Sequence, residues 1–283
     1  MIVDAHHHLW RISDGYSWLD APELAPIRRS FLPADLLAEL AAAGVDRTVL
    51  VEGGRCDTGE AEILLGYAAS TPAIAGVVAW ADPADPELAA TIAGYRALPG
   101  GELLVGVRPQ LQGETDPGYL DRPAVRRGLR TVAEAGLAFD VVCRADQLPA
   151  VARVAREVPE LRFVLDHLGK PAVRDGAAGL AGWAGPLAEL AASPNVTAKL
   201  SGLVTEADWR RWLPADLRPF VAEAVRLFGP ERLMFGSDWP VCRLAADYGA
   251  VLAALTEVLP PLSTAERSAV FGATAVRAYR LRD

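Results

Sequence analysis

Short apolar, β-branched runs alternate along the chain with longer Ala/Leu/Glu/Arg segments of helical period, the signature of repeated βαβ units. Eight runs read as strands: Ile2–His8, Arg47–Gly53, Ala75–Trp80, Leu104–Pro109, Ala138–Cys143, Arg162–Leu168, Val196–Ser201 and Leu233–Asp238. Helix-like stretches lie between them, at roughly Pro33–Ala43, Glu60–Ser70, Pro86–Leu98, Arg122–Ala135, Asp146–Glu157, Leu180–Ala192, Asp216–Phe228 and Asp247–Leu259, and Thr264–Tyr279 closes the pattern. Pro33, Pro86 and Pro123 suit a first helical turn. Gly44 and Gly136 stand where a helix C-cap precedes a strand, and Asp146 and Ser263 or Thr264 read as N-caps. Eight βα units closing on themselves give an α/β fold of the (β/α)8 barrel type. The competing open, doubly wound sheet would carry a Gly-rich phosphate loop after strand one; here that strand ends in histidines. One domain over residues 1–283 is the expectation, since such barrels routinely reach this length.

Composition narrows the function. The chain is 51% hydrophobic and 23% charged, ordinary for a globular protein. Its net charge of −8 argues against nucleic acid, which needs clustered Lys and Arg. No apolar run approaches the roughly 20 residues of a membrane span, and the first residues lack the basic and apolar regions of a secretory signal. Cys56, Cys143 and Cys242 suggest neither a disulfide framework nor a Cys-x-x-Cys metal motif, so a reducing cytosol is the expected compartment. Of 28 basic residues only Lys170 and Lys199 are lysines, and that rarity sets both apart as candidates for a specific role. A small-molecule substrate fits this balance, and a homo-oligomer stays open.

Function in such a barrel gathers at the C-terminal ends of the strands. All four histidines lie at two of those ends. By strict alternation His6 and His8 share one face of strand one with the deeper Asp4, and His7 takes the other. Asp4 is then either a partner orienting a histidine or a hydrogen-bonded core group. Strand six ends in Asp166-His167, and strand eight in Gly236-Ser237-Asp238-Trp239-Pro240. Three imidazoles and a carboxylate suit a divalent metal with N/O ligands, zinc first, and a position open for water. Asp238 could instead serve as the general base, or do both.

The segments Val3-Asp4-Ala5-His6-His7-His8-Leu9-Trp10, Phe163-Val164-Leu165-Asp166-His167-Leu168-Gly169-Lys170-Pro171 and Arg232-Leu233-Met234-Phe235-Gly236-Ser237-Asp238-Trp239-Pro240 resemble the amidohydrolase superfamily. The chain is most similar to its sugar-lactonase-like branch, which holds L-fuconolactonases, L-rhamnonolactonases and pyrone-dicarboxylate lactonases. Val105-Gly106-Val107-Arg108 and Lys199-Leu200-Ser201-Gly202 also fit. The resemblance implies a distorted barrel that hydrolyses a lactone in sugar-acid catabolism. It makes His6, His8, His167 and Asp238 the candidate ligands of one divalent metal. Strand four ends in Arg108 rather than a lysine, and strand five lacks a histidine, so a two-metal site is not expected. Some members of the branch work without metal, and that alternative stays open. So does a nonoxidative, metal-dependent decarboxylase of an aromatic or related acid on the same scaffold.

Opening a lactone needs a water, a proton acceptor and positive charge where the oxyanion develops. Asp238 is the candidate acceptor, and Arg108 or Lys170 the candidate cation. Lys199 and Ser201 share one face of strand seven and would meet substrate if that face looks inward. Trp80 and Trp239, more than Trp18, are candidates to pack a sugar ring. In the loop after strand four, Gln112 and Glu114 could bond hydroxyls. No Arg cluster beyond Arg108 and Arg144 stands at strand ends, which favours a neutral aldonolactone over a dicarboxylate.

Overall fold

The computed structural model describes residues 1–282. Eight parallel strands follow one another around a barrel in chain order: β1 (Val3–His7), β2 (Arg47–Val51), β3 (Ile74–Ala79), β4 (Leu104–Val107), β5 (Ala138–Val141), β6 (Arg162–Leu165), β7 (Val196–Leu200) and β8 (Leu233–Phe235). Helices α1 (Pro33–Ala43), α2 (Gly59–Ser70), α3 (Leu88–Ala97), α4 (Pro123–Glu134), α5 (Leu148–Glu157), α6 (Gly176–Ala191), α7 (Pro214–Phe228) and α8 (Tyr248–Val258) return the chain between strands. No helix among the described residues is long and apolar enough to cross a membrane.

Alternation builds two apolar layers. Val49 and Val51 belong to the barrel interior with Val3, Ala5, Val164 and Met234, while Leu50 joins the larger layer between strands and helices. Each such branched residue, fully buried, contributes about 1.5–3 kcal/mol. The closing helical segment is α9 (Thr264–Ser268), a π-helical turn over Ala269–Ala273, and α10 (Thr274–Tyr279). Ala275, Ala278 and Tyr279 of α10 pack into the interior layer.

Local chemistry meets several expectations. Gly44 and Gly136 take φ of 66° and 70°, and the Ser263 side chain accepts from the Glu266 N–H. Other readings need correction. Asp146 does not cap α5, because a 3-10 turn over Ala145–Gln147 intervenes. Pro86 precedes α3 by two residues rather than opening it. Most strands also end earlier than predicted, because the chain leaves the ladder at the site. The correction at β1 is the most consequential. Asp4 pairs with Thr48 but His7 with Leu50, so β1 carries one extra residue between them. This bulge breaks the alternation. Val3 and Ala5 face the interior, yet so does His6, while Asp4 faces the other way, toward Tyr248 of α8. His7 points outward and bonds Thr48 Oγ1 at 2.9 Å.

The junction of β8 with β1 is short. Asp238 N–H donates to His6 O (2.8 Å), and His8 N–H to Trp239 O (2.7 Å). The barrel thus closes at the residues of interest.

Candidate active site and metal centre

His6, His8, His167 and Asp238 converge. His6 Nε2 and His8 Nε2 are 3.2 Å apart. Asp238 Oδ1 lies 3.5 Å from His8 Nε2 and 3.8 Å from His6 Nε2 and from His167 Nε2. A tetrahedral ion with ligands at about 2.0–2.1 Å sets its ligand atoms about 3.3–3.4 Å apart. His6, His8 and Asp238 therefore have the spacing of a metal site, with His167 alongside.

The other ring nitrogens are occupied. His8 Nδ1 meets Val51 O at 3.0 Å and His167 Nδ1 meets Ser201 Oγ at 2.9 Å. His6 Nδ1 lies 3.2 Å from Asp166 Oδ1 and 3.0 Å from Lys199 Nζ. Such contacts fix ring orientation and present Nε2 to the centre. Burial pushes His6 well below the usual imidazole range and His167 down to about 4, which favours the neutral, ligating form. Burial would raise Asp238, but His167, His8 and Lys170 outweigh it and hold the carboxyl low.

The backbone is shaped for this convergence. His167, Leu168 and Lys170 all have φ of 52–53°, and Asp238 has φ of 57°. Non-glycine residues in this left-handed region cost about 1–3 kcal/mol each and cluster at functional sites. Two glycines make room. A Cβ on Gly202 would stand 2.6 Å from His167 Nδ1, and one on Gly236 2.8 Å from His6 Cβ.

Beneath the histidines runs a buried chain of charges. Arg108 Nε donates to Glu52 Oε1 at 2.6 Å and Nη1 to Asp166 Oδ2 at 2.8 Å, while Nη2 donates to Glu52 O at 2.7 Å. Lys199 Nζ reaches Asp166 Oδ1 (2.8 Å) and Asp140 Oδ2 (2.6 Å), and Tyr279 O–H donates to Asp140 Oδ2 (2.6 Å). Burial opposes ionisation of Asp166, but Lys199, His6 and Arg108 outweigh it and hold it well below the carboxylate range. For Asp140 burial wins, lifting it to about 6.

A cavity of about 360 Å3 opens above, lined by His8, Arg108, His167, Lys170 and Asp238 together with Trp18, Gln110, Gln112 and Thr205. Arg108, Lys170 and Gln112 thus face the cavity. Glu114 does not line it; its carboxylate accepts from Asp116 N–H in the adjoining loop. Four other expected substrate contacts are not in the wall. Lys199 faces inward but is fully buried among carboxylates below the floor. Ser201 is engaged with His167. Trp239 is buried against Phe31, and Trp80 accepts from Tyr95 O–H through its carbonyl outside the cavity. Trp18 takes the place given to them, its indole N–H bonded to Gly53 O at 2.8 Å. Glu52, Asp140 and Asp166 were not singled out from sequence. Each is an acidic residue at or near the end of an apolar strand, which was a usable signal.

Comparison with known proteins agrees with this geometry. The amidohydrolase family profile matches residues 3–281. An L-fucono-1,5-lactonase of Burkholderia multivorans is 43% identical over 99% of this chain and 96% of its own length. One from Burkholderia ambifaria is 37% identical over 99% and 95%. The crystal structure of a Burkholderia multivorans amidohydrolase with bound zinc superposes with a TM-score of 0.92 at 39% identity, covering 100% of both chains. With a barrel whose strand tops carry this His/Asp constellation, the chain belongs to the amidohydrolase family.

Proposed function

We propose that the protein hydrolyses a sugar-acid lactone, with L-fucono-1,5-lactone the first candidate and L-rhamnonolactone the second. The observation that carries this is the position of Asp238. Its carboxylate is held ionised, lines the cavity and stands within 3.8 Å of three imidazoles. The two relatives named as L-fucono-1,5-lactonases, matched over nearly their whole length, supply the substrate class.

In this reading Asp238 takes the proton of the attacking water. Arg108 carries five N–H groups, of which three are engaged with Glu52 and Asp166. A fourth points at His6 Nε2 at 3.4 Å, which leaves one Nη2 N–H for the developing oxyanion. Lys170 adds positive charge at the wall, its Nζ only loosely paired with Glu206 at 3.9 Å. Gln110, Gln112 and Thr205 offer partners to ring hydroxyls, and Trp18 a flat apolar face. His6, His8 and Asp238 would hold one divalent metal, zinc by donor set, with His167 Nε2 beside them at 3.8 Å from Asp238 Oδ1. When bound, such an ion supplies Lewis acidity beside the reacting carbonyl.

The test is acid release, followed with a pH indicator, from L-fucono-1,5-lactone and L-rhamnonolactone. The expected result is release well above spontaneous hydrolysis, lost in a folded Asp238→Asn variant. No release over the panel, or full activity in that variant, overturns the proposal.

A further inference from the structure

The chain around Asp238 is held in a left-handed conformation at φ 57°, and something must fix it there. The contacts on either side lead to one residue outside the cavity. Asp4 is fully buried on the outer face of β1. Its Oδ1 accepts from Ser237 N–H at 2.8 Å and from His6 N–H at 3.1 Å. Its Oδ2 accepts from Ser237 Oγ–H at 2.6 Å and Tyr248 O–H at 2.9 Å. Ser237 Oγ in turn accepts from Trp239 N–H at 3.0 Å. The residues before and after Asp238 are therefore tied, directly and through one hydroxyl, to the same carboxylate that holds the backbone of His6. The β1 bulge makes this arrangement reachable, because it turns Asp4 outward while His6 turns in.

We propose that Asp4 is a positioning residue for hydrolysis, setting the separation of Asp238 and His6 by bracing Ser237 across the β1–β8 junction. This rests on the reading of Asp238 as the proton acceptor. A carboxylate offers about four acceptor positions, and all are used here. No other side chain of this size does the same. In Asp4→Asn one oxygen becomes an NH2 group facing Ser237 Oγ, and that hydroxyl keeps only its longer contact to His6 O at 3.3 Å. In Ser237→Ala the tie to Trp239 N–H is lost while the Asp4–Ser237 backbone bond stays.

The experiment compares Asp4→Asn and Ser237→Ala with Thr48→Val, which removes the buried bond to His7 at 2.9 Å on the β2 side of the same strand. Steady-state kinetics on L-fucono-1,5-lactone and Tm are measured for each, with Asp238→Asn alongside. Displacing a reacting group by a fraction of an ångström to 1 Å costs up to about 100-fold. The expected result is a kcat about 10- to 100-fold down in Asp4→Asn and Ser237→Ala with KM within about twofold. Thr48→Val should keep kcat at a comparable loss of Tm. If the first two lose no more kcat than Thr48→Val at equal Tm loss, Asp4 only holds the fold and the proposal is overturned. Should Asp4→Asn fail to fold, Ser237→Ala decides by the same comparison. Full activity in Asp238→Asn instead removes the premise, which separates that failure from the failure of Asp4.

Discussion

Arg108 and Asp166 meet at 2.8 Å through Nη1 and Oδ2, both buried, each one residue past the end of strands β4 and β6, which are not neighbours in the barrel. The pair places a cation at the cavity floor without leaving it to solvent. Arg108→Gln should lower kcat by about 10²–10³-fold, the usual loss for one oxyanion donor. It should also cost about 3–5 kcal/mol of stability, because Glu52 and Asp166 lose their common partner. Steady-state kinetics and urea unfolding on the same preparation check both.

Lys199 is a second test of the buried charges. Lys199→Met leaves Asp140 without its cation and Asp166 with Arg108 alone, and about 3–5 kcal/mol should be lost in chemical unfolding. Since Lys199 lies below the floor, KM in the folded fraction should stay near wild type. A large rise in KM would return Lys199 to the substrate.

Trp18 should behave in the opposite way. It lines the cavity and touches no residue of the His/Asp centre at hydrogen-bonding distance. Trp18→Ala is expected to raise KM about tenfold with a smaller change in kcat, the pattern of a contact made equally in ground and transition states. A selective loss of kcat would contradict this.

The metal centre predicts its own stoichiometry. Equilibrium dialysis against zinc followed by elemental analysis should find one equivalent per chain. His8→Ala should abolish binding, because it removes a ligand from the set with metal spacing. Retention of a full equivalent in that variant would place the ion elsewhere.

Glu60 should subtract stability as pH rises from about 4.5 to 8, against the opposite slope that the depressed His6 and His167 give below about 6.5. Glu60 is fully buried and accepts from Gly53 N–H at 2.7 Å. Burial first, and then the Glu52 carboxylate, push it from the ordinary 4.5 up to about 8. The folded chain therefore holds a proton that the unfolded chain releases over this window, and stability is lost through it. The difference in stability between wild type and Glu60→Gln, measured by urea unfolding at about pH 5, 6.5 and 8, should therefore shrink as pH rises.

Much of this architecture was legible from residue order. Short apolar, β-branched runs between helical segments located the strands, and the His and Asp residues at the ends of three of them located the four residues of the centre, since strand tops are where a barrel gathers polar groups. What the pattern could not carry was facing. Alternation put Asp4 with His6, but one extra residue in β1 reversed that relation. It put Lys199 and Ser201 on one face without saying which way that face looks, or the depth at which Asp140 and Asp166 hold the lysine. The tryptophans failed for a related reason: an indole near a strand end can turn to the core, as Trp239 does, or reach in from a distant loop, as Trp18 does. Side-chain direction after a strand ends is set by tertiary packing, not by period.

The β1–β8 junction has a consequence for how activity arises. Residues 6 and 8 come early in synthesis and residue 238 late, and the two groups meet only across that short seam. No half-barrel contains a working centre, so nascent or truncated chains should be inert however well their strands pair. Catalysis then serves as a sensor of ring closure: on gentle denaturation, turnover should vanish when the seam parts, ahead of any large loss of helix.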